Sequence, residues 1–99
     1  MTEYENLVNS APAVLVEFYA TWCPHCQRMM PIVADIRELL GDTLPIYQLD
    51  IDKNNEVAEE AGANSVPTFV IYRGGQPVWR HSGEMDGNTL LQKLQQFNS

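Results

Sequence analysis

Four short stretches of the chain carry the apolar pattern of β-strands. The first is apolar at almost every position, as in a strand buried on both faces, and Glu17 is its only charged residue. The last two stretches flank the pair Gly74-Gly75, which predicts a hairpin between them. The predicted strands cover residues 13–19, 46–51, 68–72 and 77–81.

Four other stretches have the spacing and capping residues of α-helices. Thr2 forms a capping-box pattern with Glu5, and Asp86 is the expected N-cap of the last helix. In the second helix, Pro24 suits the first turn, whereas Pro31 lies inside and should kink the axis. The predicted helices run from residue 2 to about 8, from 23 to 41, from 54 or 55 to about 62, and from 86 onward. Their longest apolar faces comprise Met29, Ile32, Val33, Ile36, Leu39 and Leu40 in the second helix, and Leu90, Leu91, Leu94 and Phe97 in the last.

The order of these elements is α-β-α-β-α-β-β-α, which indicates an α/β protein. A βαβ unit followed by a hairpin and a helix predicts a mixed four-stranded sheet with helices on both faces. The chain has 99 residues, of which 44% are apolar, and this suffices for one modest core. We therefore expect one domain spanning residues 1–99.

The charge and hydropathy of the chain limit the kinds of molecule that it is expected to bind. Thirteen acidic and six basic residues give a net charge of −7, which argues against binding to nucleic acid or to an anionic membrane surface. No apolar run approaches membrane-spanning length, and the acidic N-terminus lacks the features of a secretory signal. We therefore expect a cytoplasmic protein, with an exported mature form as the alternative.

The segment Trp22-Cys23-Pro24-His25-Cys26 holds both cysteines of the chain, where the first strand gives way to the second helix. Two thiols at this spacing can close a disulfide with little backbone movement and can be reopened by an incoming thiolate. Unpaired N–H groups and the helix dipole at a helix N-terminus favour the thiolate form of Cys23, which is the attacking form. Cys26, one turn into the helix, should be less exposed and suits the role of resolving thiol.

A zinc site is the alternative interpretation of these residues. Cys23, Cys26, His25 and His81 could supply four ligands, but no second Cys-x-x-Cys or His-x-x-x-His pattern completes the usual spacing. We therefore interpret the pair as a redox centre that needs neither a metal nor another cofactor.

Two polar residues would affect the thiols directly. If His25 is protonated, it stabilises the Cys23 thiolate and makes the pair more oxidising; otherwise it is an exposed linker residue. If the first strand is central, Glu17 is buried, its pKa rises, and it can take the proton from Cys26 during resolution. In an edge strand the same carboxylate would simply be solvated.

The bond between Val66 and Pro67 is a candidate cis peptide, because X-Pro bonds tolerate this form far better than others. In that form, the Val66 backbone could lie beside the disulfide and pair with an extended substrate. An ordinary trans proline at the start of a strand is the alternative.

Together these elements resemble the thioredoxin family in order and spacing, over nearly the whole chain. The segments that carry the resemblance are residues 16–26, Pro31, residues 49–52, Val66-Pro67-Thr68 and Gly83. The resemblance implies a thioredoxin-like fold, with Cys23 as nucleophile, Cys26 as resolving thiol and Pro67 as a cis-proline facing them. It also implies a substrate groove formed by Trp22, Val66 and Gly83.

The chain departs from the family pattern at several positions. Pro24-His25 replaces the usual Gly-Pro between the cysteines, as in periplasmic disulfide-forming oxidases, and these two residues are expected to tune the redox potential. Glu17 replaces a buried aspartate. Gln48 replaces the lysine that usually accompanies that carboxylate, which leaves Glu17 without a cationic neighbour. The family's first strand is missing, so the strand near residues 46–50 should become a sheet edge.

These features predict a thiol–disulfide oxidoreductase that reduces protein disulfides through Cys23 and Cys26. The resemblance implies thioredoxin reductase as the electron donor, and we expect a monomer. One alternative is a disulfide oxidase or isomerase in an exported compartment. Another is a thioredoxin-fold interaction module whose cysteines are dispensable.

Overall fold

The computed structural model describes residues 2–98. Met1 and Ser99, which the predicted domain includes, lie outside the described residues. The helices are α1 (Glu3–Val8), α2 (Pro24–Leu40), α3 (Asn55–Glu60) and α4 (Gly87–Phe97), with a short 3-10 helix at Gly41–Thr43. The strands are β1 (Ala13–Tyr19), β2 (Ile46–Asp50), β3 (Thr68–Arg73) and β4 (Gln76–Ser82). None of the helices described here is long and apolar enough to cross a membrane.

The strands form one four-stranded sheet in the order β2-β1-β3-β4. Strand β1 pairs in parallel with β2 and antiparallel with β3, and β3 continues into β4 through the predicted hairpin. The mixed sheet is confirmed, and β2 lies at an edge as predicted. Because β1 has a partner on each side, Glu17 occupies the interior of the sheet, opposite Gln48 on one side and Phe69 on the other.

Side chains alternate between two hydrophobic cores, one on each face of the sheet. Helices α2 and α4 cover one face, and α1 and α3 cover the other, so the expected helices on both faces are confirmed. The first core contains Leu15, Met29, Val33, Ile36, Phe69, Ile71, Leu90 and Leu94. The second contains Val8, Val14, Val16, Phe18, Ala58, Val70 and Tyr72. Strand β1 therefore contributes to both cores, as its nearly continuous apolar sequence predicts.

The helix ends agree with the capping predictions at two places. The Thr2–Glu5 capping box is formed, and the side chain of Asp86 accepts a hydrogen bond from the Thr89 N–H. Asn54 occupies the N-cap position of α3, but its side chain donates to the Asp50 carbonyl instead of capping the helix. In the hairpin, β3 continues one residue further than predicted, to Arg73, and β4 spans Gln76–Ser82 instead of residues 77–81. Two further predicted boundaries were wrong by one residue.

The first of these boundaries is the start of α2, where Cys23 is the N-cap and Pro24 the first helical residue. The second is the end of β2, since Ile51 lies in the turn that follows. Helix α2 continues through Pro31 to Leu40, and the kink expected at this proline stays a prediction.

The prediction that Leu39 belongs to the apolar face of α2 was wrong, because its side chain is 72% exposed. At about 100° per residue, Leu39 lies about 80° from Met29 around the helix axis, whereas Leu40 lies only about 20° away. Leu40 accordingly packs against the core and Leu39 points to solvent.

Truncating Leu39 is therefore expected to leave stability almost unchanged. Leu39→Ala should alter the free energy of unfolding by less than about 0.5 kcal/mol. Ile36→Val, which removes a single methylene from the buried face of the same helix, should cost about 0.5–1.5 kcal/mol. Urea denaturation of the two variants checks this order, and a larger loss for Leu39→Ala would contradict the assignment.

Candidate active site

The two cysteines lie where β1 leads into α2. The Cys23 N–H donates to the Ala20 carbonyl over 3.2 Å, which closes the turn before the helix. As the N-cap, the Cys23 Sγ accepts a hydrogen bond from the Cys26 N–H at 3.2 Å, in the way that capping oxygens usually do. Pro24 fits the first helical position because its missing N–H has no partner there to lose. The local sequence therefore places the Cys23 sulfur on the positive end of α2.

A second loop faces the Cys23 sulfur. The Val66–Pro67 peptide is cis, as proposed from the sequence, and the Cys23 thiol donates to the Val66 carbonyl at 3.6 Å. The Gly83 N–H donates to the Pro67 carbonyl at 2.8 Å, which joins the segment after β4 to this loop. Gly83 has φ +98°, a conformation that favours glycine. Three separate segments of the chain thus meet around Cys23.

Both cysteines are free thiols and both are buried, with 3% exposure for Cys23 and 1% for Cys26. Burial, together with a hydrogen bond to the Cys23 sulfur, raises the pKa of the Cys26 thiol to about 12. The negative charge of Glu17 acts in the same direction. Cys26 therefore keeps its proton at neutral pH until a base or a reaction partner removes it.

Glu17 is buried in the middle of β1, with 1% exposure. Burial raises the pKa of this carboxyl, while a 2.9 Å hydrogen bond donated by the Gln48 side-chain amide and the charge of Arg37 partly offset the effect. The Arg37 guanidinium donates to the Gln48 Oε1 at 3.4 Å and to the Ile46 carbonyl at 2.9 Å. The expectation that Glu17 has no cationic neighbour was therefore wrong, because Arg37 reaches this position from α2.

Trp22 and His25 flank the thiols on the surface. Trp22 is 64% exposed, and its indole N–H donates to the Asp52 carboxylate at 3.0 Å. The exposed His25 side chain lies 2.8 Å from the Arg28 Nη2 and 3.4 Å from the Glu84 Oε1, both measured from its Nδ1. Arg28 also bonds Glu84 through its Nε.

The structure brings most of the sequence-predicted site residues together. Val66 contacts the Cys23 sulfur directly and Gly83 is joined to this loop through Pro67, while Trp22 precedes Cys23 in the chain and bonds Asp52. His81 instead stacks on Trp79 in β4, with ring centroids 6.1 Å apart. Among residues 2–98, no group of three or more His, Cys, Asp or Glu side chains is placed to hold a metal ion.

Sequence reasoning missed three charged residues near the site, namely Arg28, Arg37 and Glu84. Arg28 follows His25 by three helical positions, a spacing that predicts contact between side chains and could have identified it. Arg37 and Glu84 carry no such signal, because their contacts depend on how α2 and the segment after β4 pack against the sheet.

A pair of free thiols at the start of a helix, facing a cis-proline loop beside a mixed four-stranded sheet, is a site at which a disulfide can form and be reopened by thiol–disulfide exchange. The family model described as Thioredoxin matches residues 1–96. A thioredoxin-like protein of Synechocystis sp. is 40% identical over 93 residues, which cover 94% of this chain and 89% of that protein. The chain belongs to the thioredoxin family.

Two further comparisons show how widely this architecture extends. The chloroplastic thioredoxin Y of Oryza sativa subsp. japonica is 38% identical over 91 residues, which cover 92% of this chain and 54% of that protein. The chain thus spans about half the length of the plant relatives it matches. The structure of a mutant thioredoxin from Halobacterium salinarum has a TM-score of 0.90 at 28% identity, covering 100% of this chain and 86% of that one.

Proposed function

We propose that the protein reduces disulfide bonds of other proteins, with Cys23 as nucleophile and Cys26 as resolving thiol. The observation that carries this proposal is the position of the Cys23 sulfur, which caps α2 beside the cis-proline loop. In the first step, the Cys23 thiolate attacks one sulfur of the substrate disulfide, and the other sulfur leaves and takes up a proton. A mixed disulfide joins Cys23 to the substrate.

The second step regenerates a free substrate. Cys26 loses its proton and attacks the Cys23 sulfur, the mixed disulfide breaks, and the second substrate sulfur leaves as a thiol after taking up a proton. The substrate has then gained two electrons and two protons, and Cys23 and Cys26 are joined as a disulfide. The helix N-terminus favours the attacking anion at Cys23, whereas burial of Cys26 keeps the second thiol protonated until it is needed.

Glu17 is the proposed acceptor of the Cys26 proton. Its support is twofold: the carboxyl is buried with a raised pKa, and its charge acts on the Cys26 thiol. A base with a pKa raised toward the working pH suits this transfer better than an ordinary carboxylate. Gln48 fixes the orientation of the group through its 2.9 Å hydrogen bond.

Trp22, Val66, Pro67 and Gly83 form the proposed substrate groove. The side chain of Trp22 is mostly exposed. Apart from Gly83 and its two chain neighbours, no atom of residues 2–98 lies within 4 Å of the position where a Cβ on Gly83 would be. An extended substrate segment would therefore find an open surface over Gly83 and a backbone carbonyl at Val66. Pro67 supports this carbonyl from within the loop.

Pro24 and His25 are the proposed redox-tuning residues, and no cofactor is needed beyond the Cys23–Cys26 pair. We further propose that thioredoxin reductase returns the electrons, that the protein acts as a cytoplasmic monomer, and that it binds neither nucleic acid nor membranes. The net charge of −7 supports the last point. Membership of the thioredoxin family supports thioredoxin reductase as the electron donor.

The proposed function is tested by insulin reduction with thioredoxin reductase as electron donor, together with the reduction potential measured against glutathione. We expect catalytic turnover of insulin and a potential nearer to about −270 mV than to about −120 mV, the values of a reductase and a strong oxidase. A potential near the oxidising value would favour disulfide formation instead. Full biological activity of the Cys23→Ser, Cys26→Ser double variant would favour an interaction module.

A further inference from the structure

Two charged residues contact the side chain of His25, which lies between the two cysteines in the sequence. Arg28 and Glu84 are bonded to each other, and both approach the Nδ1 of His25. Glu84 comes from the segment after β4, so these contacts also link this segment to the first turn of α2. The Arg28 guanidinium holds the pKa of the Glu84 carboxyl below its usual range, which keeps Glu84 negatively charged and available to orient Arg28.

The two contacts of the His25 Nδ1 require different protonation states of this nitrogen. Arg28 can only donate, so its 2.8 Å contact requires an unprotonated Nδ1 that accepts. Glu84 can only accept when ionised, so its contact would require a proton on Nδ1. At 3.4 Å the Glu84 contact is longer than an ordinary N–H···O hydrogen bond, whereas the Arg28 contact lies in the normal range. The geometry therefore favours a neutral imidazole with its proton on Nε2.

We propose that Arg28, oriented by Glu84, is a positioning residue that keeps His25 uncharged and so keeps the Cys23–Cys26 pair reducing. This inference rests on the proposed function and adds to it the residue that sets its direction. An imidazolium two residues from Cys23 would stabilise the thiolate and make the pair oxidising. With the Nδ1 occupied by Arg28, the His25 ring carries no charge, and the positive charge of Arg28 itself is paired with the Glu84 carboxylate.

The proposal predicts a specific pattern in a double-mutant cycle. In Arg28→Met, Glu84 becomes the one charged residue among residues 2–98 that contacts His25, and it draws a proton onto Nδ1. The quantity to measure is the equilibrium constant for the reaction of the protein dithiol with glutathione disulfide, which yields the protein disulfide and two molecules of glutathione. This constant should fall about tenfold in Arg28→Met, equivalent to a potential about 30 mV higher.

His25→Asn should change the same constant less than about threefold in the otherwise unchanged protein, because the ring tunes the potential only when it carries a charge. Added to Arg28→Met, it should raise the constant about tenfold or more, because it then removes a charged ring. Arg73→Met is the charge-matched control, since Arg73 lies at the far end of β3 and bonds only the Phe97 carbonyl among the hydrogen bonds described. It should leave the constant unchanged. An equal effect of His25→Asn in both backgrounds would overturn the proposal.

A second measurement separates charge from structure. The nitrogen chemical shifts of the His25 ring, recorded at pH 7 on the oxidised protein, should report an unprotonated Nδ1 in the unchanged chain and a doubly protonated ring in Arg28→Met. A doubly protonated ring in the unchanged chain would reject the proposal. Neither measurement requires turnover of a protein substrate, so failure to reduce insulin would count against the proposed function alone.

Discussion

Replacing Cys23 with serine is expected to abolish insulin reduction, whereas replacing Cys26 should yield a protein that attacks once and stops. A serine hydroxyl is not ionised at neutral pH, so Cys23→Ser has no nucleophile at the N-terminus of α2. In Cys26→Ser the Cys23 thiolate remains, but nothing breaks the mixed disulfide that it forms. Turnover should fall to the uncatalysed rate in both variants, for different reasons.

Mass spectrometry after mixing with insulin distinguishes the two variants. Cys26→Ser should carry one covalently bound insulin molecule that dithiothreitol releases, and Cys23→Ser should carry none. The high pKa of the Cys26 thiol, which lies inside α2 and not at its N-terminus, explains why it does not substitute for Cys23 as the attacking group. The reverse result, an adduct on Cys23→Ser only, would exchange the two roles.

Replacing Glu17 with glutamine is expected to stabilise the fold while slowing the reaction. The folded state binds the Glu17 proton more tightly than the unfolded chain does, because burial raises the pKa of this carboxyl above its usual 4.5. The unfolded chain therefore releases the proton first as the pH rises. The free energy of unfolding then declines from about pH 4.5 until the pH has passed the raised pKa of the folded state.

Glu17→Gln removes this decline, so the gain over the unchanged protein should be small in acid and fully developed above the folded-state pKa. Its size should be about 1.4 kcal/mol for every pH unit that separates the folded-state pKa from the usual one. Glutamine can still accept the hydrogen bond from Gln48, so packing is preserved. Denaturation at several pH values measures the effect, and a loss of stability at neutral pH would contradict it.

The kinetic consequence of Glu17→Gln lies in the second step. Resolution by Cys26 should slow about 100-fold, because the variant lacks the proton acceptor, while the initial attack by Cys23 should be nearly unchanged. Stopped-flow measurement of both phases tests this, with Glu38→Gln as a control that removes an exposed carboxylate from α2. Equal rates of resolution in the two variants would remove Glu17 from the mechanism.

Much of the fold follows from local sequence patterns. The apolar run around Glu17 predicts a central strand, because a strand can bury apolar side chains on both of its faces only when both faces of the sheet are covered. The pair Gly74-Gly75 predicts the hairpin because both residues adopt positive φ angles, 58° and 79°, which other residues rarely do. These signals are contained within a few neighbouring residues, so no tertiary information is needed to read them.

The electrostatic surroundings of the site could not be read in the same way. Arg37 reaches Gln48 across eleven residues of chain, and Glu84 reaches Arg28 across fifty-six, through side chains whose directions depend on packing. The exposed Leu39 is a similar case. Whether a residue at the edge of the apolar helix face is buried depends on which elements pack against α2. The sequence therefore identifies the reacting thiols better than the charges that tune them.

The position of β1 has a consequence for motion. This strand is held by neighbours on both sides and contributes buried side chains to both cores, so it cannot detach without opening the whole molecule. The loops that form the rest of the proposed groove, by contrast, lie outside the strands and can move without breaking the sheet. Cys23 therefore follows the strand that is least able to unfold locally. We expect the segments around Val66 and Gly83, and not β1, to adjust to substrates of different shape.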